Sequence, residues 1–179
     1  MSIAPASIRV REAGLGDEHR LALVGAATFL ESYAGVLPGD DIIAHCATKH
    51  SPVVYEDWLI GGEARIWLAE AEEGRAPVGY AVMTPPDVPL PGAGPSDAEI
   101  RRIYVLHRFH KEKVGWALMK TALDAARRTG KKRMLVGVYG RNDRAIGFYK
   151  RVGFTVVGER KFQVGATVHD DLILALDLG

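Results

Sequence analysis

The sequence has a single cysteine, Cys46. That excludes an intrachain disulfide and suits a reducing compartment. It has no excess of charge: 23 Lys and Arg stand against 22 Asp and Glu, a formal net charge of +1. No whole-protein field therefore draws nucleic acid or an anionic membrane, and neither is expected as a partner. No apolar run approaches the ~20 residues of a membrane span. Met1–Arg11 lacks an apolar h-region, which predicts no secretory leader and a cytoplasmic protein. No Gly-Lys-Ser/Thr follows a strand, and the three-glycine dinucleotide fingerprint is missing. Without repeats or a long linker, the 179 residues, 47% hydrophobic, are expected to fold as one domain, 1–179.

What is there reads as α/β. Ile8–Arg11 alternates apolar and charged residues and predicts a first strand. Asp17 is placed to cap a helix through Leu21, Val24, Ala27 and Phe29 towards Tyr33. Pro38 and Gly39 open a second helix through Ile42 and Cys46, and Tyr55, Trp58 and Leu59 a short third piece. Ala64–Glu70 and Val78–Met83 form a hairpin around the turn at 72–75. Thr84–Asp97 holds five prolines and two glycines, so it cannot join a ladder. Ala98–Val105 is a strand, and the spacing of Val114, Ala117, Leu118, Thr121, Ala122 and Ala125 predicts a helix within His110–Gly130. Met134–Val138, a helix capped by Asn142 and ended by Gly153, and the strands Phe154–Val157 and Leu172–Leu176 complete the chain. This order implies a mixed sheet with helices on both faces.

The junction Tyr104–Leu118 carries the chemistry. A helix start presents N–H groups with no intrahelical partner and a partial positive charge, a ready seat for a diphosphate. Arg108, His110, Lys111 and Lys113 surround it with cationic side chains, and Gly115 and Ala117 permit close approach. A solvated basic first turn explains the same residues.

Three stretches decide between these readings: Ala98-Glu-Ile-Arg-Arg-Ile-Tyr-Val105, His110-Lys-Glu-Lys-Val-Gly-Trp-Ala117, and Asn142-Asp-Arg-Ala-Ile-Gly-Phe-Tyr-Lys-Arg-Val-Gly-Phe154. Together they resemble the GNAT family of acetyltransferases. Gly137-Val-Tyr-Gly-Arg-Asn142, Phe162-Gln-Val-Gly165 and Asp170-Asp-Leu-Ile173 resemble its PaiA-type spermidine/spermine acetyltransferases. The resemblance implies the GNAT fold, a mixed sheet of about seven strands flanked by helices, and acetyl-CoA as cofactor, with CoA as product. It implies that Ile103, Tyr104 and Val105 pair with the pantetheine arm. It implies that the amides of His110-Lys111-Glu112-Lys113-Val114-Gly115, continuing to Trp116 and Ala117, cradle the diphosphate. Asn142, Phe148 and Tyr149 fall at positions that meet the pantetheine and the sulfur. Two positions depart from the family: His110 replaces an Arg or Gln, and Lys113 replaces a Gly.

Amine acetylation needs the amine deprotonated, the thioester oxygen stabilised and the thiolate protonated. A free alkyl ammonium has a pKa of about 10.4, so at neutral pH almost none is nucleophilic. Glu99, where some members carry such a glutamate, is the candidate base; the alternative is a surface carboxylate paired with Arg101 or Arg102. Tyr149 is the candidate acid; the alternative is a core aromatic beside Phe148. A backbone N–H near Ile103, at a bulge, is the candidate oxyanion donor.

Glu31, Tyr33, Asp40 and Asp41 lie in the region that forms part of this family's acceptor pocket. They would suit a small polyamine-like or other cationic amine, with a solvated helix face as the alternative. His45, Cys46 and His50 could suggest a metal site or a Cys–His nucleophile, but Cys46 falls on the apolar face of its helix and neither histidine has a third ligand partner in view, so no metal is expected and Cys46 reads as a buried structural thiol. His107 and His110 read as loop residues. Trp58, Trp67 and Trp116 read as packing residues. The chain is thus expected to be an acetyl-CoA-dependent N-acetyltransferase for a small primary amine. Protein N-acetylation and a non-catalytic acyl-CoA sensor are the alternatives, and a homodimer, common in the family, is an expected assembly.

Overall fold

The computed structural model describes residues 7–179; the expectation for the N-terminal stretch falls largely on Met1–Ala6, outside the described residues. The elements run β1 (Ile8–Glu12), α1 (Glu18–Tyr33), α2 (Gly39–Lys49), α3 (Pro52–Gly61), β2 (Arg65–Ala71), β3 (Pro77–Thr84) and β4 (Asp97–Val105). After them come a 3-10 turn (His107–Glu112), α4 (Val114–Arg128), β5 (Arg133–Tyr139), α5 (Asp143–Val152), β6 (Thr155–Val164) and β7 (Thr167–Asp177). The seven strands form one mixed sheet in the order β1-β2-β3-β4-β5-β7-β6, flanked by the helices. By contact density the chain divides into two compact units, Met1–Val82 with Arg102–Thr121, and Met83–Arg101 with Ala122–Gly179.

In the first unit β1 pairs antiparallel with β2, Ile8 opposite Ala71 and Glu12 opposite Trp67. Its core is Leu21, Val24, Tyr55, Ile66, Leu68, Tyr80 and Val82, with Trp58, Leu59 and Tyr104 packed against it. The buried residues come from one stripe of α1, from Tyr55 of α3 and from the inward positions of β2 and β3, where burial of apolar surface drives their association. Gly79 is required there: a Cβ would sit 2.9 Å from the Tyr104 carbonyl oxygen. Asp17 precedes α1 but makes no side-chain cap. Its carboxylate accepts the Gly14 N–H at 3.0 Å and both Nη atoms of Arg11 at 2.8 Å. Arg11 also holds Glu70 at 2.8 Å. A half-buried guanidinium with two carboxylates outcompetes a helix N–H for the same oxygen. Both carboxyls are thereby held below their usual range, chiefly by hydrogen bonds from Arg11.

In the second unit β4 pairs in parallel with β5 from Asp97–Arg133 to Ile100–Val136. β5 pairs antiparallel with β7 along its whole length, Arg133 opposite Asp177 and Tyr139 opposite Asp171. β6 and β7 form the closing hairpin, with a bulge between Val156 and Gly158. β6 is longer than the sequence pattern predicts because its outer face is polar and exposed. Asp97 receives Arg133 at 2.9 Å, an ion pair that closes the proline-rich segment before β4.

Candidate active site

β4 is nine residues long, and its ladder with β5 ends at Ile100. Arg101–Val105 continue beyond it. Leu106 then donates its N–H to the Val78 carbonyl at 2.8 Å. His107–Glu112 form a 3-10 turn rather than the loop expected of them, and the His107 and His110 rings lie 4.9 Å apart. A three-residue period puts i and i+3 side chains together, which is why this pair meets. The His110 Nε2–H donates to the Val105 carbonyl at 2.6 Å, closing the turn onto the end of β4. One lone pair of a carbonyl that the resemblance assigns to pantetheine is thus taken by the chain itself.

Lys113 has φ +56°, the left-handed region that favours glycine. The chain therefore adopts at this position a backbone conformation suited to glycine while carrying a lysine. α4 starts directly afterwards, with the Ala117 N–H donating to the Lys113 carbonyl at 3.0 Å. Its first turn holds no acidic residue. Val114 is buried, Gly115 partly so, while Lys111, Lys113, Trp116 and Ala117 are exposed. Trp116 is 49% exposed and so is not the packing residue expected of it, whereas Trp67 is buried. A strand end leading through Lys111 and Lys113, with Glu112 between them, into a helix whose first turn holds no acid is a donor set that fits an amide-bearing arm and a diphosphate.

The other candidates belong to the second unit. Asn142 caps α5 as expected, its Oδ1 accepting the Ala145 N–H at 3.0 Å. What it can offer a ligand is its carboxamide NH₂, a donor. Gly153, at φ +116°, ends α5, and the Phe154 N–H returns to the Tyr149 carbonyl at 3.0 Å. Tyr149 is buried, with Phe148 at 5.5 Å and Phe154 at 5.7 Å, both edge-on. Glu99 is 3% exposed and pairs with neither arginine. Its Oε2 accepts the N–H groups of Asp87 (2.6 Å) and Val88 (3.1 Å). Arg101 pairs with Asp87 at 2.5 Å instead.

Among the acceptor-side candidates, Glu31 accepts the His107 N–H at 2.8 Å and so anchors the 3-10 turn. The Tyr33 ring lies 4.5 Å from Phe29. Asp40 and Asp41 sit in the first turn of α2, where they complement the helix dipole. Cys46 is only partly buried, which corrects the expectation of a core thiol; its pKa is raised by what burial there is. Among the described residues no three His, Cys, Asp or Glu side chains gather to hold a metal.

Sequence reasoning missed a cluster. His45 stacks on Phe29 at 4.1 Å, and His50 is hydrogen-bonded to Tyr55 at 2.9 Å. Arg102 donates to the Tyr55 hydroxyl at 3.0 Å and lies 4.7 Å over the Trp58 ring. Burial first, then the Arg102 charge, lowers His45 to about 4 and His50 to about 3. Gly25 makes room, since a Cβ there would collide with His50 Nδ1 and Tyr55 Oη. The signals available were the Arg101-Arg102 doublet and the i, i+3 pair Tyr55 and Trp58.

A sequence profile of the acetyltransferase (GNAT) family matches residues 27–154. The chain belongs to that family and is an acetyl-CoA-dependent acetyltransferase. An uncharacterized N-acetyltransferase of Mycobacterium tuberculosis (strain H37Rv) is 29% identical over 162 residues, 90% of this chain and 98% of the relative. The PaiA N-acetyltransferase of Thermoplasma acidophilum, solved with coenzyme A, superposes with TM-score 0.78 at 19% identity, over 96% of this chain and 99% of that one. The Salmonella typhimurium acetyltransferase yncA, solved with acetyl-CoA, gives TM-score 0.67 at 22% identity over 97% and 95%. At these identities the two structures share the fold. No helix among the described residues is long and apolar enough to cross a membrane.

Proposed function

We propose that this acetyltransferase acts on the primary amine of a small molecule. The observation that supports the proposal is the start of α4: no acid in its first turn, and entry through a left-handed Lys113. Acetyl-CoA supplies the thioester when bound. The first-turn amides of α4, Val114 to Ala117, take the diphosphate, with Lys111 and Lys113 as added cations and His110 holding the turn in shape. Ile103, Tyr104 and Val105 present strand-like backbone to the pantetheine, the N–H near Ile103 faces the thioester oxygen, and the Asn142 NH₂ and Phe148 flank the arm.

Glu99 accepts the amine's proton, directly or through water. Its Oε2 is pinned by two amides, so Oε1 is the oxygen available for that exchange. Tyr149 donates to the departing thiolate; its position is set by the α5 cap at Asn142 and the stop at Gly153. A tyrosine near pKa 10 can protonate a thiolate near 8.5 only where the pocket narrows that gap.

The narrower expectation of a polyamine rests on Glu31, Tyr33, Asp40 and Asp41. Glu31 is occupied by the His107 N–H, and Asp40 and Asp41 serve the start of α2. What supports the expectation is thus the PaiA likeness and charge alone. A homodimer in the cytoplasm belongs to the same proposal, and sedimentation reads the dimer.

The test is release of CoA thiol from acetyl-CoA with spermidine, monoamines, amino acids and a peptide. Release with a small amine supports the proposal, and release with the peptide alone replaces it with protein acetylation. CoA binding without amine-dependent release would favour a sensor, the outcome to which Lys113 in a glycine position points.

A further inference from the structure

The cluster around Arg102 has a charge that the protein does not balance. Arg11, Arg65, Arg101, Arg133 and Arg160 each have a carboxylate within 4.0 Å. Among the described residues Arg102 has none. It donates one hydrogen bond, from Nη1 to the Tyr55 hydroxyl. The same hydroxyl shares a hydrogen bond with His50 Nδ1 at 2.9 Å, and burial followed by the Arg102 charge keeps His50 neutral, its titration lowered to about 3. His45 is likewise held neutral near physiological pH, its titration lowered to about 4. The remaining N–H groups of a half-buried guanidinium face flat aromatic walls, with its carbon 4.7 Å above Trp58 and 5.5 Å from Tyr55. Cation–π contact offsets part of the desolvation of that charge; an oxyanion would offset the rest. The planar fork of Arg matches a carboxylate in two-point fashion. Arg102 stands on β4, next to Ile103, on the strand assigned to the pantetheine arm.

We infer that Arg102 recognises a carboxylate on the acceptor, so that the amine acetylated belongs to an amino-acid-like zwitterion rather than to a polyamine. The inference rests on the acetyl-transfer reading and names its substrate class. Tyr55 and His50 fix the guanidinium, Trp58 supports its face, and the acceptor's own carboxylate completes the ion pair. A polyamine would meet this cation as a like charge.

Matched pairs that differ only in the carboxylate test it: lysine against cadaverine, tryptophan against tryptamine. The wild-type enzyme is expected to favour the carboxylated member in kcat/KM by about 10- to 100-fold. Arg102→Gln brings that ratio to about one. Arg102→Lys, which keeps the charge and loses the fork, gives an intermediate ratio and guards against a mere folding defect. Equal rates within the wild-type pairs, or a ratio unchanged in Arg102→Gln, would overturn the inference and leave acetyl transfer standing. If no amine releases thiol, the acetyl-transfer reading fails instead. Lysine in the presence of CoA then raises the wild-type Tm and not that of Arg102→Gln if Arg102 binds carboxylate, and equal shifts in both proteins would reject it.

Discussion

Two strand-to-helix junctions of this chain are built from the same parts and finished differently. After β5, α5 opens with Asn142 bonded to the Ala145 N–H and with Asp143 in the first turn. The positive end of that helix is satisfied from within. After β4, α4 opens behind a left-handed Lys113 with no acid in its first turn. A helix dipole left without its own anion is suited to one from outside. In the proposed function the difference separates holding from aiming: the α4 junction is assigned to the diphosphate, and the capped α5 junction to orienting Tyr149.

The largest expected effect falls on the aiming side. Tyr149→Phe should lower kcat by about 10² to 10³ and leave CoA affinity unchanged. A parallel loss of CoA binding would show that α5 also holds the ligand. Gly115→Asp should weaken CoA binding by about tenfold, through a like charge beside the diphosphate. The same acid should leave Tm level or raise it, because it complements the helix end; unaltered affinity would break the comparison. Asn142→Ala removes a cap worth about 1 kcal/mol and should lower Tm by about 2–4 °C. Calorimetry would read that shift, and a Tm equal to wild type would show that the cap is dispensable. Lys113→Gly relieves a left-handed lysine at a cost of order 1 kcal/mol. It should raise Tm by about 2 °C and weaken CoA binding slightly, through loss of one exposed cation beside the diphosphate; an unchanged Tm would show that the left-handed lysine carries no strain.

A smaller effect lies outside both junctions. His45 and His50 titrate at about 4 and about 3 in the folded protein, below the 6.5 of the unfolded chain. Between pH 6.5 and 4 the unfolded state therefore binds more protons, and stability falls as pH falls. Thermal melts at pH 7 and pH 5 should show the drop, reduced in His50→Gln.

The fold was legible because its signals are local. Alternation in Ala64–Glu70, the apolar stripe from Val114 to Ala125, and Asn142 and Gly153 at the ends of α5 each specify an element from neighbouring residues. The 3-10 turn at His107–Glu112 was not legible, since its histidines look like loop residues until the turn brings them together. Asp17 reads as a cap because the arginine that claims it, Arg11, is fixed in place by Glu70, 59 residues further along the chain. The Arg102 cluster draws on α1, α2, α3 and β4, and no window of sequence shows four elements converging. For the site, motif spacing picked out both junctions, but only coordinates show that Glu99 bonds to two backbone amides rather than to an arginine.

Titration of the ¹⁵N-labelled protein with CoA, followed by amide NMR, tests the α4 junction most directly. The largest shifts should fall on Val114 to Ala117, with small ones at Asp143 to Ala145. The reverse pattern, or no saturable shift at Val114 to Ala117, would contradict the account.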